Sequence, residues 1–562
     1  MTATDTYLLL RAFCDELARC GMEHACTSPG SRSAPIVVSL AGEERIRCWS
    51  HLDERCAGFF ALGAAKSAGR PVAVACTSGT AAANLAPAVI EAHWARVPLL
   101  ILTADRPPEL REVGAGQTID QLKLYGDAVK WFFEVGVHDA TPERLRWMRT
   151  LACRAYRTAL DAPPGPVHLN FPLGEPLVLD EPLPAEGTGR ADGHPYVLVE
   201  PTPTAEPAGG PGPHPSGRLL AVAGARTPNP VELAEYAART GIPLLADPLS
   251  GARRGPAAVS HYDLLLRDAR FTAARRPDFV FRLGDLPTSK PLRVWLSSLV
   301  DVPQIAFDPD RTWQDPDSVV GMRVRSALPM PEDISTEAGW LEAWTGADGE
   351  IGSALDRQLG DTLSEPLVAR KLGVWLDSDA ILFAASSMPI RDVETYLAAR
   401  GDGPRVLANR GANGIDGTVS SAFGVAAQTG RPVVLLIGDV ALAHDIGGLL
   451  STHRLGLGLT IVLLNNDGGG IFHFLPVARY GAVFEEHVAT PHGLDFAHAA
   501  ALYGATHERP RDLAELEAAV RRSVRSPGTQ IIEVRTDRQE NLALHRSLTE
   551  RVIAALSTGD NF

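Results

Sequence analysis

The sequence lacks an excess of positive charge, a long apolar run and any closely paired cysteines. Lys and Arg total 53 against 67 Asp and Glu, so the formal net charge is −14. A chain this acidic is not expected to bind nucleic acid or an anionic membrane surface, because that binding depends on clustered cations. No run of about 18 apolar residues is present, so membrane insertion is not expected either.

The cysteines also exclude certain classes. All seven lie at or before Cys153 and none forms a C-x-x-C pair, which argues against a disulfide framework and a zinc knuckle. Reduced thiols in a cytoplasmic protein are the expectation. Residues 1–21 lack a cationic start and a long apolar core, so they predict an amphipathic helix rather than a signal peptide.

Apolar residues are plentiful, at 45% of the chain, which excludes disorder over most of its length. Short apolar runs alternate with helical patterns, for example over 54–67, 80–95 and 230–240. This alternation predicts an α/β protein of three doubly wound, mostly parallel α/β domains. Strands are expected at 24–27, 47–51, 72–77, 99–103, 167–171, 380–384, 406–408, 433–437, 460–464 and 530–534.

A segment rich in Pro and Gly divides the chain. Residues 182–217 predict a linker, and a second polar, Pro-rich stretch spans 326–336. We therefore expect α/β domains at 1–181, 218–345 and 346–562. At about 150 residues per domain, the length agrees with this division.

The strongest local signal lies in the last predicted domain. One predicted strand ends in Gly438-Asp439, and the next long strand ends at Asn466. Neighbouring parallel strands bind ligands at their carboxyl edge. The oxygens of Asp439, Asn466 and the Gly468 backbone suit Mg²⁺, and the glycines at 438 and 468–470 allow a diphosphate to approach the backbone. The alternative is a pair of ordinary strand ends with a Gly-rich turn.

This pattern resembles the thiamine diphosphate signature, with Val440 where Gly is usual. Further segments resemble one family, in matching order: SPGSRSAP (28–35), HLDERCAGFFALG (51–63), TSGTAAANL (77–85), LTADRPPEL (102–110), SEPLVAR (364–370), SSMPIRD (386–392), NRGANGIDG (409–417) and NNDGGGIFHFLP (465–476). That family is the 2-succinyl-5-enolpyruvyl-6-hydroxy-3-cyclohexene-1-carboxylate synthases of menaquinone biosynthesis. The resemblance is dense in the first and last predicted domains and thin in the middle one.

The resemblance implies a transferase with thiamine diphosphate and Mg²⁺, or Mn²⁺, as cofactors. It implies decarboxylation of 2-oxoglutarate and 1,4-addition of the succinyl carbanion equivalent to isochorismate. The first domain would bind the pyrimidine end of the cofactor and the last domain its diphosphate. A homodimer with shared active sites, and further a homotetramer, would follow.

Residue roles carry over in the same way. Glu54 would be catalytic and would hydrogen-bond the aminopyrimidine ring, whereas the alternative is a first-turn carboxylate that the helix dipole favours. Ile415 would lie beneath the bent cofactor, with an ordinary core Ile as the alternative. The implied cofactor contacts are Ser78, Gly79, Ile415, Gly438, Asp439, Ile471 and Phe472, and the implied metal ligands are Asp439, Asn466 and Gly468.

Both implied substrates are dicarboxylates, which need fixed cations, and Arg is the suitable side chain. The candidates are Ser31, Arg32, Arg106, Gln117, Lys290, Ser387, Arg391, Arg410, Phe472 and Leu475. Pro291 follows Lys290 where some relatives carry Arg, so the second cation is left open.

Two rival classes stay open. Another thiamine diphosphate enzyme, acetolactate synthase-like or decarboxylase-like, would act on smaller 2-oxo acids. A non-catalytic binding protein could retain the fold, although Glu54, Asp439 and Asn466 are all present. A nucleotide-binding dehydrogenase is disfavoured because no G-x-G-x-x-G follows a predicted strand.

Overall fold

The computed structural model describes residues 2–199, 215–325 and 334–556. Much of the predicted linker and of the second Pro-rich stretch therefore lies outside the described residues. Over the described ranges, no helix combines the length and the apolar character needed to cross a membrane.

The first sheet contains strands that are buried on both faces. Its strands are β1 (His24–Thr27), β2 (Arg47–Ser50), β3 (Val72–Cys76), β4 (Leu99–Asp105), β5 (Trp131–Glu134) and β6 (Pro166–Pro172). Their order is β2-β1-β3-β4-β6-β5, and every neighbouring pair is parallel. The associated helices are α1 (Ala3–Arg19), α2 (Ala34–Ala41), α3 (Glu54–Ala68), α4 (Thr80–Ala83), α5 (Ala86–Ala95) and α6 (Pro142–Leu160). Strands β3, β4 and β6 are buried throughout, which explains their continuous apolar runs.

The predicted single helix over 80–95 is wrong, because the segment forms two helices. α4 ends at Ala83 and α5 begins at Ala86, with Pro87 in its first turn. Proline lacks the amide hydrogen and its ring clashes with the carbonyl four residues earlier, so one continuous helix is disfavoured here.

The second sheet forms the central part of the chain. Its elements are β7 (Ser216–Gly217), β8 (Leu219–Ala223), α7 (Pro230–Thr240), β9 (Leu244–Ala246), α8 (Tyr262–Leu265), α9 (Ala269–Ala274), β10 (Phe279–Leu283), α10 (Lys290–Ser298), β11 (Gln304–Phe307), β12 (Met322–Val324) and β13 (Ser335–Thr336). The strand order is β12-β11-β10-β8-β9, while β7 pairs separately with β13. These pairs are again parallel.

The third sheet lies in the last part of the chain. The elements there are α11 (Trp340–Leu359), α12 (Glu365–Trp375), β14 (Ile381–Ala384), α13 (Met388–Tyr396), β15 (Arg405–Leu407), α14 (Thr418–Thr429), β16 (Val433–Gly438), α15 (Asp439–His444), α16 (Leu450–Leu455), β17 (Leu459–Asn465), α17 (Ala482–Phe484), α18 (Phe496–Tyr503), β18 (Thr506–Glu508), α19 (Leu513–Arg525), β19 (Thr529–Arg535) and α20 (Arg538–Leu556). The strand order is β15-β14-β16-β17-β19-β18, and all neighbouring pairs are parallel. The predicted fold class, three parallel α/β units, is confirmed.

The strands that carry Asp439 and Asn466 at their ends, β16 and β17, are direct neighbours, as expected. The crossover between them consists of α15, a 3-10 turn at Ile446–Leu449 and α16 rather than one continuous helix.

The first and third sheets share a hydrophobic core in which α3 packs on α14. The two backbones are in close contact. A Cβ on Gly63 would lie 2.0 Å from the Ser421 carbonyl oxygen, and one on Gly424 would lie 2.0 Å from the Phe60 carbonyl oxygen. Glycine is therefore required at both positions, and α3, which begins with Glu54, is held against α14.

Candidate cofactor and substrate site

A pocket of about 110 Å³ opens at the carboxyl edge of the third sheet. It lies where β16 and β17 end and where α13 begins. Its wall brings together many of the predicted residues: Ser387, Ile415, Gly438, Asp439, Asn466, Gly468, Ile471 and Phe472.

The predicted metal ligands lie close together in this pocket. Asp439 is buried, its Oδ1 accepts from the Val440 amide at 2.8 Å, and its Oδ2 accepts from the Gly468 amide at 3.0 Å. Asn466 Oδ1 is buried and has no hydrogen-bond partner among the described residues. An unpartnered buried amide oxygen beside a carboxylate fits a hard divalent cation, which would satisfy that oxygen.

Glycine is needed at 468 for conformation and for space. Its φ is +140°, and a Cβ there would lie 2.4 Å from the Ala489 carbonyl oxygen. Gly438 differs, because its φ of −81° suits any residue and a Cβ there would meet no atom within 4 Å. A side chain at 438 would instead occupy the pocket, so glycine at 438 leaves room for a ligand.

Two side chains that contact the predicted metal ligands were not predicted. Glu365 is buried at the start of α12, and its Oε1 accepts from Asn466 Nδ2 at 2.9 Å. Burial raises the pKa of Glu365, and the hydrogen bonds from Asn466 and Thr536 oppose that rise. His492 Nε2 lies 3.2 Å from Asp439 Oδ2. Only the motif at 364–370 pointed toward Glu365, and nothing in the sequence pointed toward His492.

Ser387 has a strained backbone where α13 begins. Its φ is +78°, a left-handed value that is unfavourable for a residue with a side chain. Met388 and Pro389, the first residues of α13, line the pocket beside it. Helix N-termini favour anions, so this wall suits a phosphate or carboxylate.

Glu54 lies at a different sheet edge. It opens α3 directly after Asp53, whose side chain caps the helix by accepting from the Arg55 amide. Burial, and then the negative charge of Glu54, raise the pKa of the Cys76 thiol, which places the Glu54 carboxyl near the end of β3. Ser78 and Gly79 follow that same strand end.

Ser78, Gly79, Arg106 and Gln117 form one hydrogen-bonded cluster. Arg106 Nη1 donates to the Gln117 carbonyl at 2.8 Å and to Ser78 Oγ, and Gln117 Nε2 donates to the Ser78 carbonyl at 3.1 Å. The Gly79 amide donates to Oε1 of buried Gln121 at 2.9 Å, a contact that was not predicted. Gly79 has a φ of +80°, which glycine adopts without strain.

Arg32 lies beside this cluster, next to the exposed Ser31. Its Nη1 donates to the Leu173 carbonyl at 2.7 Å, and its Nη2 lies 3.2 Å from Glu175 Oε1. Burial, and then the positive charge of Arg32, lower the pKa of Arg106. Two guanidinium groups are therefore close enough to influence each other, as a site for a dicarboxylate requires.

The remaining substrate candidates are spread out. Arg391 Nη1 donates to the Ser387 carbonyl, and Arg410 lines a separate cavity of about 370 Å³. Burial and the neighbouring Arg391 lower the pKa of Arg410. Leu475 is 49% exposed. Lys290 is exposed at the start of α10 and lines neither cavity.

The predicted residues thus divide into two half-sites on one chain. Glu54, Ser78 and Arg106 lie with the first sheet, whereas Asp439 and Asn466 lie with the third. Among the described residues that line the Asp439 pocket, none comes from the first sheet or its helices.

Two family models match these two regions. The N-terminal TPP binding domain of thiamine pyrophosphate enzymes matches residues 9–124, and their C-terminal TPP binding domain matches residues 392–534. A 2-succinyl-5-enolpyruvyl-6-hydroxy-3-cyclohexene-1-carboxylate synthase of Geobacillus kaustophilus is 43% identical over 96% of this chain and 97% of the relative. Proteins of the same name from Chloroflexus aurantiacus and Halobacterium salinarum are 42% and 41% identical, over 97% and 98% of this chain and 96% and 99% of each relative.

The chain belongs to this synthase family. The predicted family is confirmed, and so are thiamine diphosphate as the cofactor and the class of thiamine diphosphate-dependent transferase. The two matched segments cover most of the two half-sites, although Ser387 and Glu365 precede the second segment. The Glu54 half-site falls within residues 9–124, and Asp439 and Asn466 fall within residues 392–534.

Proposed function

We propose that this protein decarboxylates 2-oxoglutarate and joins the succinyl carbanion equivalent to isochorismate by 1,4-addition. The product is 2-succinyl-5-enolpyruvyl-6-hydroxy-3-cyclohexene-1-carboxylate, a step of menaquinone biosynthesis. The main structural support is Asn466, whose buried Oδ1 has no partner among the described residues beside the Asp439 carboxylate. Such an oxygen pair suits the cation that anchors a diphosphate.

Asp439, Asn466 and the Gly468 carbonyl would hold Mg²⁺, with Mn²⁺ as an alternative. Gly438 leaves the space that the diphosphate needs, and Ile415, Ile471 and Phe472 supply apolar walls for the cofactor. Thiamine diphosphate, when bound, supplies a nucleophilic carbon and then an electron sink for loss of carbon dioxide. The Glu54 carboxyl would exchange a proton with the aminopyrimidine, with Ser78 and Gly79 beside it.

Two dicarboxylate substrates require several fixed cations. Arg32 and Arg106 offer guanidinium groups beside Ser31 and Gln117 in one half-site. In the other, Arg391 donates to the Ser387 carbonyl, and burial and then the charge of Arg391 lower the pKa of Arg410, which lines the separate cavity; Phe472 and Leu475 are partly exposed. We also propose Lys290 as a substrate contact. Since it lies apart from both clusters within one chain, this contact would form only in the assembled enzyme.

The separation of the half-sites supports a shared-site homodimer. Glu54 of one subunit would face Asp439 of the other, and two dimers would form a tetramer. We assign pyrimidine binding to residues 1–181, diphosphate binding to 346–562, and a central domain without a cofactor contact to 218–345. The free cysteines of the described chain fit a reducing cytoplasm.

The deciding experiment measures carbon dioxide release from 2-oxoglutarate by the full-length enzyme with thiamine diphosphate and Mg²⁺. Release is expected to depend on isochorismate, and mass spectrometry should show the adduct. Release from pyruvate without isochorismate would instead indicate an acetolactate synthase-like or decarboxylase-like enzyme. Glu54→Gln should lower kcat by about 100-fold or more, whereas the exposed Glu550→Gln should not.

A further inference from the structure

Asp445 connects two helices that begin with proposed site residues and a third helix that follows one. It caps the C-terminal end of α15, the helix that begins with Asp439. Its Oδ2 accepts from the Ser420 amide at 2.7 Å, and its Oδ1 accepts from Ser420 Oγ at 3.0 Å and from the Cys56 thiol at 3.8 Å. Cys56 lies in the first turn of α3, two residues after Glu54.

On the α14 side, this contact lies close in sequence to Ile415, which is proposed to form a wall of the cofactor pocket. Ser420 is in the first turn of α14, and Thr418 Oγ1 at the start of that helix donates to the Ile415 carbonyl at 2.9 Å. One carboxylate therefore contacts the helix of Glu54, the helix that follows Ile415 and, through its own backbone, the helix of Asp439.

The Asp445 carboxylate is enclosed. A Cβ on Gly448 would lie 2.7 Å from Ser420 Oγ and 3.2 Å from Asp445 Oδ2, and one on Gly447 would lie 3.4 Å from Cys56 Sγ. The backbone of the turn at Ile446–Leu449 thus closes over the contact. A buried carboxylate is costly to ionise, so stability alone does not explain an Asp at this position.

A second polar contact fixes the C-terminal end of α3 to the segment that follows β15. Lys66, in the last turn of α3, donates to the Ala408 carbonyl at 2.6 Å and to Asn409 Oδ1 at 2.8 Å. Between the two ends, α3 and α14 meet at the backbone through Gly63 and Gly424. A shift of one helix is therefore transmitted to the other.

We propose that Asp445 is a positioning residue that links the Glu54 half-site to the Asp439 half-site of the same chain. The inference rests on the proposed shared-site dimer, in which these half-sites serve two different active sites. The link then runs through the interior of each subunit from one active site to the other. Ligand binding at one site would bias the position of Glu54 at the second.

Hydrogen exchange on the full-length, cofactor-free protein tests the link without relying on turnover. Asp445→Asn keeps the shape of the side chain but replaces one acceptor oxygen by an amide nitrogen, which cannot accept from Ser420 or Cys56. We expect exchange to rise about tenfold both in residues 416–424 and in residues 57–62. Asp402→Asn, at an exposed aspartate in the turn before β15, should change neither segment. Acceleration confined to residues 416–424 would make Asp445 a local cap and overturn the link.

Cys56→Ala tests the same link by removing the contact that α3 makes with Asp445, while Asp445 itself is unchanged. It removes one donor, so it should fold if Asp445→Asn does not. Faster exchange in residues 416–424, on the other side of the contact, is the expected result. Exchange that is unchanged there would overturn the proposal independently.

Mixed oligomers separate this proposal from the dimer on which it rests. Pairing a Glu54→Gln chain with an Asp439→Ala chain leaves one intact site only if sites are shared, so an inactive mixture would overturn the dimer. If the mixture is active, adding Asp445→Asn to either chain should lower kcat about fivefold with little change in KM. An unchanged kcat would overturn the link while leaving the dimer intact.

Discussion

Glu365 holds the side-chain amide of Asn466 in one orientation. Asn466 Nδ2 donates to Glu365 Oε1 at 2.9 Å, and Thr536 Oγ1 donates to the same oxygen at 2.9 Å. Because the amide nitrogen is engaged, the oxygen of Asn466 is the atom left for the pocket that contains Asp439. Glu365 therefore selects which end of the amide a cation would meet.

We expect Glu365→Gln to weaken metal binding, because a glutamine can place its own amide hydrogens against Asn466 and turn that side chain around. Loss of a residue that orients a ligand typically costs about 10- to 100-fold in metal affinity. Titration of Mg²⁺ against thiamine diphosphate binding, followed by calorimetry, measures the change. The exposed Glu550→Gln is the matched control, and an unchanged Mg²⁺ dependence in Glu365→Gln would contradict the role of Glu365.

Gly438→Ala should separate folding from cofactor binding. Alanine fits the backbone of residue 438 and its methyl group meets no protein atom within 4 Å, so the thermal midpoint should stay unchanged. The methyl group would stand where the diphosphate is proposed to lie, so affinity for thiamine diphosphate should fall about tenfold or more. Gly349→Ala, in the exposed part of α11, should keep the affinity. Equal affinities in the two variants would argue against a diphosphate at Gly438.

Arg32 and Arg106 should act on substrate affinity. Lysine keeps the charge but loses the planar pair of donors that matches a carboxylate, so Arg32→Lys and Arg106→Lys should each raise KM for at least one dicarboxylate about tenfold. Steady-state kinetics with each substrate varied in turn gives the result. Arg70→Lys, in an exposed ion pair with Glu23, is the control. If both KM values are unchanged, the substrate carboxylates bind elsewhere.

The sequence was most informative where the chain is buried on both faces of a sheet. The runs that became β3, β4, β16 and β17 were predicted within two residues, since burial on both sides requires continuous apolar residues. The short strands β5 and β18 carry no such signal and were missed. Pairing of Asp439 with Asn466 was predictable because neighbouring parallel strands end at one edge.

Contacts between distant segments were not predictable in that way. Glu365, His492 and Gln121 reach their partners across long stretches of chain, and each looks like an ordinary helix or loop residue. The division into two half-sites was implied by the family resemblance and does not follow from the order of the motifs alone. It depends on which sheet edge each motif occupies and on how α3 packs against α14.

Asp445 predicts a pH dependence of stability with a definite sign. Burial raises the pKa of Asp445 from the ordinary 3.8 to about 6. The hydrogen bonds from Ser420 and Cys56 and the charge of His444 lower that pKa, but by less than burial raises it. The negative charge of Asp445 also contributes to the raised pKa of Arg55 on α3. Since the folded state holds this proton more tightly, the stabilising contribution is complete below pH 3.8 and is lost as the pH rises through about 6. The loss corresponds to about 3 kcal/mol.

Asp445→Asn cannot ionise, so it escapes this loss. The difference in thermal midpoint between the variant and the parent enzyme should move in favour of the variant between pH 4.5 and pH 7.5, measured by calorimetry on the full-length protein. Activity of the same variant should be lower at pH 7.5, because the amide does not accept all of the hydrogen bonds that fix Ser420 and Cys56. A midpoint difference that is independent of pH would show that Asp445 does not ionise in this range. A midpoint difference that moves toward the variant as the pH rises, together with slower turnover, identifies a carboxylate retained for positioning rather than for folding.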